Sequence, residues 1–184
     1  MDEDFPLLVS LACHDLRTPL ATVQGFAKTL TRQDGFDERT GRWLGLIDEA
    51  SEEVVHLLDL LSLAARIEGG RYDPVTQVVD SLELAQRAVP EATGTGSAVT
   101  VEPDAVARAL GGFVRAASRH GGVDVSLTVD GTRLAVEPVV ADAAPIVLGD
   151  ELRDLGAAVA VRLVRALGGS VQLEGERLWV VLPA

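Results

Sequence analysis

Two stretches of this 184-residue chain repeat apolar residues at alternating spacings of four and three, and that rhythm limits what its N-terminal part can become. In the first, Val9, Cys13, Leu16, Leu20, Val23, Ala27 and Leu30 keep the spacing of a heptad seam. In the second, Trp43, Ile47, Ala50, Val54, Leu57, Leu61 and Ala64 do the same. Between them TRQDGFD (31–37) is polar and contains a glycine, with Asp37 placed to cap the second helix. Two long helices joined by so short a loop make an antiparallel hairpin. At ~1.5 Å per residue the first helix spans roughly 40 Å. Leu58, Leu60 and Leu63 widen the apolar surface of the second helix beyond one stripe. A lone hairpin cannot bury it all. The expectation is a homodimer in which two hairpins form a four-helix bundle, with cover by the C-terminal part as the competing solution.

Gly69-Gly70 ends the second helix and Pro74 follows, so the hairpin domain is expected over 1–72 and a second domain over 73–184. Asp80 with Glu83 reads as a capping box for a short helix, SLELAQRAV. The stretch PEATGTGS (90–97) reads as loop, and residues 103–119 as a helix stopped by Gly121-Gly122. VDVSLTV and TRLAVEP flank Asp130-Gly131, which predicts a type I′ hairpin. A further helix over about 150–167 ends at Gly168-Gly169, and SVQLEG with RLWVVLP forms a terminal hairpin. Helices on one side of a mainly antiparallel sheet give an α/β sandwich and an α+β chain overall.

The formal charge of −12 argues against nucleic acid or an anionic membrane as partner and favours other proteins. Cys13 is the single cysteine, so an internal disulfide is excluded and a reducing cytoplasm suits the chain. No apolar run approaches the ~20 residues of a membrane span. The opening MDEDFPLLVSL lacks the basic region of a signal peptide. Taken as a whole protein, the chain would have neither sensor region nor membrane anchor, and would be cytoplasmic.

The chemistry concentrates in HDLRTPL, residues 14–20. His14 sits beside the seam, and at i+4, i+7 and i+11 follow Thr18, Ala21 and Gly25, a stripe of small side chains that leaves room for another protein. Neutral imidazole is a nucleophile near neutral pH, and Asp15 supplies a carboxylate to orient it. Pro19 removes a helical N–H and clashes with the Asp15 carbonyl, at a cost of ~3 kcal/mol in a regular helix, so a kink is expected here.

HDLRTPL resembles the H-box of sensor histidine kinases, and the resemblance extends into ATVQGFAKTL and through LLDLLSLAARIEGGRYDP of the second helix. It implies phosphorylation of a ring nitrogen of His14 and exchange with the aspartate of a response-regulator receiver. It makes Asp15 the acidic helper and Thr18 the polar position used in dephosphorylating the receiver. Arg17, Ala21 and Gly25 are then expected to form the docking surface.

The C-terminal half resembles the ATP-binding domain of the same kinases with its chemistry eroded. In DAVARALGGFVRAASRH, Ala116 stands at the Mg²⁺-holding asparagine of the N-box and Gly112 at an upstream asparagine; the chain contains no asparagine at all. Alanine cannot ligate a metal that needs oxygen donors. VEPVVADAAP (136–145) replaces the D-x-G-x-G box, with Pro138 near the aspartate position and Asp142 as a substitute, and Asp154-Leu155-Gly156 stands where the family has G-x-G. AAVAVRLVRALGGSVQLEG matches the family again.

These residues imply a phosphorelay histidine phosphotransferase that passes phosphoryl between receiver aspartates through His14. It would hold no cofactor or metal of its own, the receiver bringing Mg²⁺. An ATP-dependent histidine kinase, using ATP–Mg²⁺, is the alternative. A non-catalytic dimeric adaptor for receivers is a further one. His56 is expected in solvent, His120 as a helix C-terminal cap, and Cys13 as a small core residue.

Overall fold

The structure, a computed structural model, describes residues 5–33 and 36–184. Asp34 and Gly35 of the expected loop, and the first four residues, lie outside the described residues. The chain divides into two compact units between Gly70 and Arg71.

The first unit is two long helices, α1 (Phe5–Thr31) and α2 (Glu38–Glu68). Asp37 caps α2, its carboxylate accepting the Thr40 backbone N–H at 2.7 Å. That backbone bond is the first cause holding its pKa below the usual carboxylate value. Gly69 closes the far end. Ion pairs tie Arg17 to Asp59 and Lys28 to Glu52. As the α1 number rises the α2 number falls, so the helices run antiparallel.

The seam between them keeps most of the predicted row on α1 and departs from it on α2. Buried and half-buried residues of α2 fall on Leu44, Asp48, Ser51, Val55, Leu58, Ser62 and Ala65, one residue out of phase with the expected row. On α1 the expected Val9, Cys13, Leu20, Ala27 and Leu30 are buried or half-buried, as are Pro6, Ser10, Arg17, Gln24 and Lys28. Leu16, Val23, Trp43, Ile47, Val54, Leu57 and Leu61 stay exposed. The heptad rhythm identifies helices, but when two faces carry apolar residues it does not say which faces the near partner. The inner row mixes small and polar side chains with Leu20, Leu44, Val55 and Leu58.

The second unit holds a five-stranded sheet ordered β2-β4-β5-β7-β6 and a two-stranded sheet of β1 (Gln77–Asp80) and β3 (Ala98–Val101). Alternate residues Leu127 and Val129 of β4 (Ser126–Gly131), Leu134 and Val136 of β5 (Arg133–Glu137), and Leu178 and Val180 of β7 (Arg177–Val181) are buried. The core also takes Leu110 and Phe113 of α4 (Pro103–Gly121) and Leu163 and Val164 of α6 (Leu155–Ala166). Asp80 caps α3 (Ser81–Ala88), accepting from Leu82 and Glu83 N–H. Ser81 is fully buried and satisfied, donating to the Gly131 carbonyl at 2.6 Å and accepting from Ser97 N–H. β6 (Ser170–Glu174) pairs with β7 as the expected terminal hairpin.

Several details differ from expectation. Residues 93–96, read as loop, form β2 (Thr93–Gly96), which pairs parallel with β4, so the sheet is mixed. The alternating TGTG looks like a breaker. Yet Gly94 has φ +130, and a Cβ there would collide with the Val129 carbonyl, so glycine is what lets this strand approach. The β4–β5 turn falls on Gly131–Thr132, because Asp130 pairs with Arg133. Of these only Gly131 has positive φ, so the two-residue I′ geometry at Asp130-Gly131 is not formed. The last long helix begins at Leu155 rather than near 150, since Asp154 caps it through the Ala157 N–H, and a short α5 (Ala144–Val147) precedes it. No helix among the described residues is long and apolar enough to cross a membrane.

Gly94→Ala is expected to destabilise the second unit by about 1–3 kcal/mol or more, through forced backbone and a blocked strand approach. Gly168→Ala, at φ +85 in open space, should cost less. Chemical denaturation of both variants reads the difference.

Candidate functional site

Cys13 and Ala27 of α1 are buried against the hairpin interior, which turns the neighbouring His14 outward. Its side chain is 77% exposed, and Nδ1 lies 3.1 Å from Oδ1 of Asp15, itself 68% exposed. A carboxylate only accepts, so this contact places a hydrogen on Nδ1 and leaves the Nε2 lone pair directed to solvent. The arrangement is that of an oriented, accessible nucleophile.

The structure brings Thr18, Ala21 and Gly25 to the surface along the same face, all exposed. A Cβ built on Gly25 meets no atom within 4 Å, so the stripe is open space rather than a packed groove. The Thr18 hydroxyl is on the turn after His14. Thr22 Oγ donates back to the Thr18 carbonyl at 3.2 Å, and Thr29 Oγ to the Gly25 carbonyl at 2.7 Å. Arg17 is placed differently from the other docking candidates. It lies on the inner heptad row, and its Nη2 donates to Asp59 Oδ1 at 2.7 Å on the second helix. Asp59 was not singled out from the sequence. A signal was available: a cation on an inner seam position asks for an acid on the opposite helix, and Asp59 is within reach once the register is known. α1 continues through Pro19 as helix.

The other histidines sit elsewhere. His56 is half-buried on α2. His120, in the last turn of α4, is 20% exposed, with Nε2 at 3.4 Å from Oδ2 of Asp154, which is 10% exposed. Arg119 Nη1 approaches the same oxygen at 3.5 Å, and Asp154 Oδ1 accepts from Ala157 N–H. Asp154 is therefore occupied as an N-cap, with the Arg119 guanidinium and the His120 ring beside it. Ala116 is fully buried, and a Cβ built on Gly112 would stand 3.3 Å from the Gly156 carbonyl, so the N-box-like helix closes directly on the start of α6. Asp142 lies exposed in a turn. These residues do not fit an Mg²⁺–nucleotide site of the kind the sequence resemblance describes: the positions that would supply oxygen ligands hold a buried methyl group and a backbone contact.

Residues 7–70 match the family model for the His Kinase A (phospho-acceptor) domain. The sensor histidine kinase TrcS of Mycobacterium tuberculosis is 40% identical over 83 residues, which are 44% of this chain and 16% of that protein. Among solved structures, full-length ShkA in complex with AMPPNP superposes with TM-score 0.68 at 21% identity, over 97% of this chain and 46% of that one. The Acinetobacter baumannii histidine kinase AdeS gives TM-score 0.55 at 17% identity, over 93% of this chain and 98% of that one. At these identities the two structures show a shared fold: two long helices followed by a mixed α/β domain like that of the histidine kinase ATPases. The chain spans about a sixth of the length of TrcS.

Ethoxycarbonylation with diethyl pyrocarbonate near neutral pH should modify His14 first and His120 last, resolved by peptide mass mapping. Equal rates at the two histidines would contradict the exposures described.

Proposed function

We propose, from the premise that this chain belongs to the two-component histidine kinase family, that it serves two-component signal transduction by carrying a phosphoryl group on His14. The observation that carries this reading is the outward His14 imidazole oriented by Asp15 above a stripe of small residues. In the transfer step the Nε2 lone pair attacks the phosphorus of a receiver's aspartyl phosphate. An N–P bond forms, the P–O bond to the receiver carboxylate breaks, and the carboxylate leaves with the electron pair. Nδ1 keeps its hydrogen on Asp15, whose charge offsets the positive charge on the ring. The reverse step delivers the group to another receiver. The receiver brings Mg²⁺, and Thr18, Ala21 and Gly25 form the surface it approaches. A second copy of the chain covers the exposed row of Leu16, Val23, Trp43, Ile47, Val54, Leu57 and Leu61, giving a four-helix dimer.

Two sources of the phosphoryl group compete. The relatives support an ATP-dependent sensor histidine kinase, and they back it more directly than they back a phosphotransferase. The side chains of the second unit support the receiver as donor. Ala116 is a buried methyl, Gly112 abuts Gly156, and Asp154 is taken up by Ala157, Arg119 and His120. We favour phosphotransfer without ATP, because the resemblance puts these residues at the positions that hold the nucleotide in the kinases.

The test is to incubate wild type and His14→Ala with labelled ATP and Mg²⁺, and separately with receiver domains charged from labelled acetyl phosphate. The account expects acid-labile label on wild type from the receiver, none on His14→Ala, and none from ATP. Label on His14 from ATP alone would establish the kinase. Asp15→Asn should slow receiver-to-His14 transfer on the order of 10²-fold, the lower range for proton-handling groups.

A further inference from the structure

We infer that Asp59, on the second helix, is a positioning residue for the phosphoryl chemistry of His14 and acts through Arg17; this rests on the reading of His14 as the phosphoryl carrier. Three observations meet in one helical turn. Pro19 has no N–H, so the Asp15 carbonyl lacks its donor four residues on, and the backbone that presents His14 is held by one bond fewer. Arg17 lies in that turn on the inner heptad row, the one cation in the series Ser10, Cys13, Arg17, Leu20, Gln24 and Ala27. Its guanidinium reaches Asp59 Oδ1 at 2.7 Å, 42 residues away in the chain.

A bond between helices does what a bond along one helix cannot. It fixes the rotation of α1 at the turn where the ladder is interrupted, and His14 stands three residues before the anchor. Asp59 acts at one remove, since its carboxylate meets Arg17 and not the imidazole. Arg17 is 39% and Asp59 60% exposed, and a pair so open to water adds little to folding stability. Its effect is therefore to be sought in the reactivity of His14 rather than in the melting of the hairpin. The pair also changes how Arg17 is to be understood. It is a strut between the helices, while Thr18, Ala21 and Gly25 remain the open docking stripe.

The test uses the full chain and potassium phosphoramidate, a small donor that needs no docking surface. The Nε2 lone pair forms the N–P bond, the donor's P–N bond breaks, and ammonia leaves with its hydrogens. The rate of acid-labile phosphate appearing on His14 is the readout, with His14→Ala as the blank. Asp59→Asn and Arg17→Ala should each slow labelling by on the order of tenfold to a hundredfold, as a displaced reacting group does. The double variant should be no slower than the slower single one, and Asp59→Glu should recover most of the rate. Helical circular dichroism and melting close to wild type show that each variant is folded. Equal rates for folded Asp59→Asn and wild type, or effects that multiply in the double variant, overturn the inference and leave the His14 reading standing. No label on wild-type His14 overturns both.

Discussion

Everything in the first unit depends on the antiparallel pairing of α1 and α2, whose most deeply buried positions are mostly small side chains. Cys13, Ala27, Ser51 and Ala65 are buried there with Leu58 as the one large member. Successive residues on a helix point about 100° apart, so burying Cys13 turns His14 outward. The same pairing fixes the register that brings Arg17 to Asp59 and Lys28 to Glu52. Lys28 has its pKa raised, first by its hydrogen bond to Glu52. The larger apolar residues left exposed form an outer face. The outward His14, the Arg17–Asp59 pair and the exposed apolar face thus follow from one choice of which heptad row faces inward.

The second unit obeys a different constraint. Its sheet is closed on one face by α4 and α6, and these two helices meet through glycine at Gly112 and Gly156, without a side chain between them. Asp154, Arg119 and His120 gather at the same end of the pair. The fold shared with the histidine kinase structures is therefore kept, with a buried methyl group at Ala116 and internal pairing of Asp154. Hydrophobic patterning preserves such a frame because Phe113, Leu163 and the alternating strand residues fill the core whatever the surface chemistry becomes.

Much of this was legible in the sequence. The heptad rhythm gave both long helices, Asp37 and Asp80 gave the caps of α2 and α3, and the alternation in SVQLE and RLWVV gave the terminal hairpin. These features are local, set by side chains within one turn or one strand pair. What was not legible depends on distant partners. The inner row of α2 lies one residue from the row its larger apolar side chains suggest, and which of two apolar faces meets α1 is settled by the packing of the two helices. Strand β2 is written in threonine and glycine, and is a strand only because Val129 of β4 stands beside it. The placing of His14, Asp15 and the small stripe followed from helical spacing, and the roles given to them from the resemblance carried by HDLRTPL. Asp59 was not, since its meaning appears only when the two helices are set in register.

The central claim is that the phosphoryl group resides on His14, and site mapping tests it most directly. Protein isolated at neutral to alkaline pH, without acid steps, from cells signalling through its pathway would be fragmented by electron transfer to keep the N–P bond intact. The account predicts phosphate on the His14 ring nitrogen, lost on brief exposure to acid. Phosphate confined to another residue, or an acid-stable phosphate alone, would contradict it.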